Sequence, residues 1–82
     1  IDLQDAIRVF PNPNTGTFTV SLDEMSNDNT FIVLYDVTGR VMMSKKMSAS
    51  EEMIELQNAA KGVYLLRIVT GDAVINKRVV VE

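Results

Sequence analysis

Gly16-Thr17-Phe18-Thr19-Val20-Ser21-Leu22-Asp23 is the stretch on which the fold turns. Phe18, Val20 and Leu22 alternate with Thr17, Thr19, Ser21 and Asp23, and a period of two puts the three apolar side chains on one face of an extended chain. Such a segment is a half-buried strand. Upstream, Ile7-Arg8-Val9-Phe10 reads as a short strand. It is stopped by Pro11-Asn12-Pro13-Asn14-Thr15-Gly16, where two prolines remove ladder donors and Gly16 admits backbone angles closed to other residues. This segment is expected to be a rigid turn that sets the angle between two strands.

Downstream, Ser26-Asn27-Asp28-Asn29 reads as a loop. Thr30-Phe31-Ile32-Val33-Leu34-Tyr35 is a continuous apolar run, the mark of a strand covered on both faces or central in its sheet. Asp36-Val37-Thr38-Gly39-Arg40 turns the chain, with Asp36 able to cap the turn and Gly39 able to take positive φ, and a hairpin partner follows over residues 41–47. After the polar loop Ser48-Ala49-Ser50-Glu51, the segment Glu52-Met53-Ile54-Glu55-Leu56-Gln57 fits neither the helical nor the strand period well, and we read it as a strand. Residues 58–62, Asn58-Ala59-Ala60-Lys61-Gly62, are expected to make one helical turn closed by Gly62. Val63-Tyr64-Leu65-Leu66-Arg67-Ile68-Val69 is strongly β, Thr70-Gly71-Asp72-Ala73 is a compact hairpin signal, and a last strand occupies residues 74–82.

Seven strands with turn signals roughly every 8 to 12 residues, and no crossover helix to make any pair parallel, predict an all-β, seven-stranded immunoglobulin-like β-sandwich. Tyr64 lies just after a turn and near the start of the penultimate strand, the place of a tyrosine corner whose hydroxyl bonds upstream backbone. Leu66 stands where antibody domains carry a cysteine, so the contact between sheets must be hydrophobic there, with Leu66 and Ile68 on Tyr64's inward face.

The 82 residues suffice for one domain and one core, and 46% apolar with 23% charged residues is ordinary globular composition. A formal net charge of −3 argues against a nucleic-acid partner, because that affinity comes from Lys and Arg neutralising phosphates. No apolar run approaches the roughly 20 residues of a transmembrane helix. With no Cys and no His, the chain cannot build a thiolate nucleophile, an imidazole base or a conventional zinc site, so we expect no enzyme and no cofactor. The start, Ile1-Asp2-Leu3-Gln4-Asp5, is unlike a signal peptide and lacks an initiator Met, so a piece of a longer protein is expected.

Three blocks taken together resemble the C-terminal sorting domain of the type IX (Por) secretion system of Gram-negative, Bacteroidetes-type bacteria. They are Val9-Phe10-Pro11-Asn12-Pro13-Asn14-Thr15-Gly16-Thr17-Phe18, then Leu34-Tyr35-Asp36-Val37-Thr38-Gly39-Arg40-Val41, then Lys61-Gly62-Val63-Tyr64-Leu65-Leu66-Arg67-Ile68 with the terminal Lys77-Arg78-Val79-Val80-Val81. The resemblance implies that residues 1–6 are a linker remnant leading into the first strand and residues 7–82 the sorting domain. It also implies a larger cargo joined at the N-terminal side, which passes the periplasm and is directed across the outer membrane to the cell surface or medium. The implied partners are an outer-membrane translocon and a surface sortase that removes the domain at or before residues 1–6. Carried over by position, Pro11, Asn12, Pro13 and Gly16 match the family's opening motif, Asp36 and Gly39 its middle turn, Gly62 and Tyr64 its third motif, and Lys77 its basic position near the end. The terminal run closes as Val79-Val80-Val81-Glu82 without the further lysine of some members.

Each of these residues also has a plainer reading. Residues 11–16 are first a turn, Gly39 and Gly62 backbone devices for positive φ, and Tyr64 a core anchor. The terminal strand, with Lys77 and Arg78, either discourages edge-to-edge pairing or offers free backbone groups for β-augmentation by the translocon, in which Gly62, Tyr64, Lys77, Arg78, Val79, Val80 and Val81 would be read. The acidic cluster of Asp23 and Glu24 with Asn27-Asp28-Asn29 lacks the spacing of a calcium loop. Glu51, Glu52 and Glu55 read as solvated charges rather than an acid/base pair. Of the five methionines, three of them at Met42, Met43 and Met47, at least one is expected to face outward if strand alternation holds; core filling is the plainer role. A non-catalytic immunoglobulin-like spacer, or a carbohydrate- or surface-binding module of a secreted protein, is the alternative function.

Overall fold

A computed structural model describes residues 6–22, 29–71 and 73–82. Seven strands succeed one another along these residues: β1 (Ile7–Phe10), β2 (Thr17–Leu22), β3 (Thr30–Tyr35), β4 (Val41–Lys46), β5 (Glu51–Glu55), β6 (Gly62–Thr70) and β7 (Ala73–Val81). They form two sheets, one of three strands in the order β1-β2-β5 and one of four in the order β4-β3-β6-β7. Every strand pair within them is antiparallel. This is the expected seven-stranded sandwich.

The alternation in β2 does what a period of two requires: Phe18, Val20 and Leu22 are buried. They meet Ile32 and Leu34 of β3, Leu66 and Ile68 of β6 and Val79 of β7 in one core cluster. Burying a Leu, Ile or Phe side chain stabilises by about 1.5–3 kcal/mol, and in a chain with no disulfide this core is what opposes the conformational entropy of the unfolded state. β3 is central, between β4 and β6, but it is not covered on both faces, for Phe31 remains 45% exposed on the outside of its sheet. Lys46 lies over its ring at 5.9 Å.

Tyr64 is a tyrosine corner. Its ring is buried and its hydroxyl donates to the Ala60 carbonyl at 2.6 Å, four residues upstream. Leu66 and Ile68 come after it on the inward face, both fully buried.

The helical turn expected over residues 58–62 does not form. Asn58 sits at φ 56°, in the left-handed region that a right-handed turn cannot pass through, and the Ala60 carbonyl is taken by Tyr64 instead. β5 is a strand, with Ile54 buried and Met53 66% exposed. Among the described residues that makes Met53 the outward methionine; Met47 is buried, while Met42 and Met43 pack half-buried against the core. Thr70 pairs with Ala73 across the β6-β7 turn, with Gly71 at φ 56° as a two-residue hairpin demands. The linker residues 1–5 and the acidic residues Asp23, Glu24, Asn27 and Asp28 lie outside the described residues.

Candidate functional site

A two-layer sandwich has two open sides, where the edge strand of one sheet stands beside the edge strand of the other. Both sides here are closed by polar side chains, and differently. On one, β5 faces β4. Strand alternation places Glu52 on the same face as buried Ile54, and Lys45 on the same face as its ladder partner Ile32. Both charges therefore point inward from edge strands, a known device against edge-to-edge pairing.

They meet there. Lys45 Nζ donates to Glu52 Oε2 at 2.8 Å, while Glu52 Oε1 accepts from the Ser48 N–H at 2.8 Å and the Ser48 hydroxyl at 2.6 Å. Only 11% of the Glu52 side chain is exposed. The expectation of a solvated charge is corrected for this residue: Glu52 ties together β4, the turn after it and β5.

The hydrogen bond from Lys45, then those from Ser48, push the Glu52 carboxyl down to about 2. The folded state thus holds this carboxylate more strongly than the unfolded chain does. Its contribution is fully present above the ordinary carboxylate range near 4.5 and is lost as pH falls toward 2. With Lys45 partly in solvent, the loss should be on the order of 1–2 kcal/mol. Urea unfolding at a series of pH values should show that acid slope in the native chain and a much shallower one in Glu52→Gln.

On the opposite side β1 faces β7, and here residues 11–16 reach the terminal strand. The Asn12 side chain brackets β7, its Nδ2 donating to the Arg78 carbonyl at 2.7 Å and its Oδ1 accepting from the Val80 N–H at 2.9 Å. Two residues on, the Asn14 backbone pairs with the same strand: its N–H donates to the Val80 carbonyl at 2.9 Å and its carbonyl accepts from the Glu82 N–H at 2.7 Å. This is a short parallel bridge between Asn14 and Val81.

The Asn14 side chain turns inward instead. It is 4% exposed, and its Oδ1 accepts the Gly16 N–H at 2.9 Å. Gly16, at φ 115°, then passes close under β5, its carbonyl accepting the Leu56 N–H at 2.8 Å. The first sequence block is therefore a clamp on the terminal strand as well as a turn. The reading of the terminal strand as an offer of free backbone groups for β-augmentation is corrected over residues 78–82, where those groups are occupied from within the chain.

The middle block is a closed turn. Asp36 Oδ1 accepts from the Thr38 N–H at 2.9 Å, the Thr38 hydroxyl at 2.6 Å and the Arg40 N–H at 3.0 Å, and Arg40 Nε lies 3.2 Å from Oδ2. The Thr38 hydroxyl above all holds this carboxyl below its usual range. Gly39 takes φ 89°.

Register brings the blocks together. Tyr35, at the end of β3, pairs with Leu65, and Leu65 pairs with Arg78, while Gly62 and Tyr64 pair with Val81 and Val79. The Asp36 turn, the start of β6, the end of β7 and the 11–16 clamp consequently share one end of the sandwich. The described chain enters at the other, where Ile7 pairs with Leu22.

Within that cluster Tyr64, Val79 and Val81 are buried core residues, whereas Val80 is half-buried and Arg78 projects on the outer face. Two contributors were not singled out in the sequence. Asn14 is one, although Asn two residues before Gly is an Asx-turn pattern. The other is Arg8, which with Phe10, Asn12, Lys77 and Arg78 lines a groove of about 560 Å³ between β1 and β7. No sequence signal links Arg8 to that place.

Among the described residues, no group of three or more His, Cys, Asp or Glu is arranged to hold a metal ion. No helix among them is long and apolar enough to cross a membrane.

Comparison with known proteins gives a family and a fold. The family model described as "Secretion system C-terminal sorting domain" matches residues 8–82. Among solved structures, the chain superposes with a TM-score of 0.77 on PorZ, described as an essential bacterial surface component of the type-IX secretion system of human oral-microbiomic Porphyromonas gingivalis. The superposition covers 98% of this chain and 12% of that one, at 18% identity, so the likeness is one of fold. No curated protein matches.

Proposed function

The chain belongs to the secretion-system C-terminal sorting domain family, and from that premise we propose that it is the part of an exported protein that is bound, read and removed by others. A domain of this family is the C-terminal sorting signal of proteins secreted by the type IX system, which delivers a cargo to the cell surface or beyond. The finer reading concerns how this chain does it. The observation that carries it is the gathering of all three sequence blocks at one end of the sandwich, with the described chain entering at the opposite end. A cargo joined before residue 7 then leaves the clamp, the Asp36 turn and the end of β7 facing away from itself. The outer-membrane translocon reads that end. The surface sortase cuts at the other, at or before residues 1–6, so that residues 7–82 are discarded.

The domain does no chemistry of its own in this reading. The two carboxylates with lowered pKa among the described residues, Asp36 and Glu52, are both engaged in holding turns together, and neither is poised to exchange a proton near neutral pH.

Fusing the 82 residues behind a reporter protein tests the proposal. In cells with a working type IX system the reporter should reach the medium or surface and its mass should lack residues 7–82; in cells without the translocon it should stay in the periplasm. Equal release from both strains, or a released reporter that keeps the domain, would overturn it.

A further inference from the structure

The two sheets differ on their outer faces. On the three-stranded sheet, β2 turns Thr17 and Thr19 outward and β5 turns Glu51 and Glu55 outward beside Met53, the largely polar outside that an antiparallel sheet with one buried face ordinarily shows. On the four-stranded sheet, alternation sends Phe31, Val33 and Tyr35 of β3 and Val63, Leu65 and Val69 of β6 outward, and ladder pairing sets them side by side. Val69 stands between Phe31 and Val74, and Leu65 between Tyr35 and Arg78. Phe31, Val63, Leu65 and Val74 remain exposed. A contiguous apolar face of this kind marks a contact surface.

Its charge has one sign. Strands β3, β4, β6 and β7 contain no Asp or Glu, while Arg67 and Arg78 stand at outward ladder positions. Arg67 lies 5.4 Å over the Tyr35 ring and its Nε donates to Asn76 Oδ1 at 3.3 Å; both partners are neutral, so its positive charge stands. Asp36, at the rim, turns its carboxylate oxygens to Thr38 and Arg40.

A second copy laid face to face would bring cations against cations with no carboxylate to meet them. A lipid surface takes up apolar side chains that protrude from a helix or an anchor, whereas Val33 and Val69 sit half-buried between their neighbours, and a chain of net charge −3 is repelled by anionic headgroups. A protein surface that is itself apolar and bears carboxylates meets both terms. The cargo of the sorting proposal joins at β1, in the other sheet, and leaves this face open. The face also runs on to the end given to recognition, where Tyr35, Leu65 and Arg67 line a hollow of about 340 Å³ with Asp36, Val37 and Gly39.

We propose that the outer face of the β4-β3-β6-β7 sheet is the surface on which the type IX translocon holds the domain, through an apolar protein surface with carboxylates facing Arg67 and Arg78. This rests on the sorting proposal and names the surface through which it works.

The probe is outer membrane from cells with a working type IX translocon, set against outer membrane from cells without it and against phosphatidylglycerol vesicles. Binding of the whole 82-residue chain to each is measured by sedimentation. The native chain should bind the first alone. Val63→Thr/Leu65→Thr, which keeps strand-forming residues in β6, and Arg67→Glu should each weaken that binding about tenfold. Met53→Thr, on the other sheet, should bind as the native chain does. Circular dichroism checks that the variants fold. Hydroxyl-radical footprinting of the native chain needs no variant: on the first membrane Phe31, Tyr35 and Leu65 should be protected and Met53 should not.

Equal binding to all three preparations, face variants that bind as tightly as the native chain, protection of Met53 in place of Tyr35, or a native chain that sediments alone as a dimer while the face variants are monomers would each overturn the proposal. Export of the fusion separates it from the sorting reading. If the native fusion and one carrying Val63→Thr/Leu65→Thr/Arg67→Glu are exported equally well, sorting stands and this face has no part in it. If the native fusion is not exported at all, the sorting reading falls and this proposal with it.

Discussion

A chain ending at Asn76 is expected to show no cooperative unfolding transition, and a cargo fused to it should stay in the periplasm. Deleting residues 77–82 removes the pairings of β7 with Gly62 through Leu66, which is the half of the β6-β7 ladder that anchors the tyrosine corner. It also removes Val79 and Val81, both buried, and the strand on which Asn12 and Asn14 close. Each lost valine forfeits about 1.5–3 kcal/mol of burial, and Tyr64 and Leu66 are opened to water besides. A domain of this length has only about 4–12 kcal/mol in all. Thermal melts and amide dispersion on the truncated chain would decide it. A sharp melt would show that the terminal strand is dispensable to the fold and that its loss acts on recognition alone. Export failure after such a truncation therefore does not by itself show that these residues are read.

Asn14→Ala should destabilise by about 2–3 kcal/mol, a large effect for one polar residue in a turn. The reason is burial. Without Oδ1 the Gly16 N–H has no acceptor in a place closed to water, and a buried donor left unsatisfied forfeits its full desolvation energy. The expected readout is a shift of the urea midpoint with an unchanged slope. Asn14→Asp keeps an acceptor for Gly16 but replaces the 3.3 Å Nδ2 contact to the Pro11 carbonyl by a carboxyl group at a site 4% exposed, so at a pH low enough to protonate that carboxyl it should lose less than the alanine variant. Equal losses in the two would mean that the acceptor is not what holds the clamp. Because the Asn14 backbone grips Val80 and Glu82, partial fraying of the last strand should accompany the alanine variant, visible as faster amide exchange at residues 80 and 82.

Much of the fold was legible because strand alternation is a local signal. Phe18, Val20 and Leu22 declare their face within a single strand, and Tyr64, Leu66 and Ile68 do the same. The tyrosine corner was legible too, since its hydrogen bond spans only four residues. Misreadings came where local and distant demands compete. Ala59, Ala60 and Lys61 have helical propensity, but Asn58 in the left-handed region and the pull of Tyr64 on Ala60 leave no helical turn. Glu52 looked like one more surface acid because its partners, Lys45 and Ser48, are assigned to it by which strand stands at which sheet edge.

The sequence by itself determined the seven strands, the inward face of each clear alternation, the turn chemistry at Asp36 and Gly39, and the three blocks whose match over residues 8–82 shows the family. Those are properties of neighbours along the chain, written in short spacings. Only the tertiary structure decided that Asn12 and Asn14 hold the last strand, that Glu52 closes one side of the sandwich, and that Arg8 joins Lys77 and Arg78 around a groove on the other. Those contacts join residues up to 68 positions apart. They exist because two edge strands must be closed off, and which edges meet is set by how the sheets stack, a relation that no local pattern encodes.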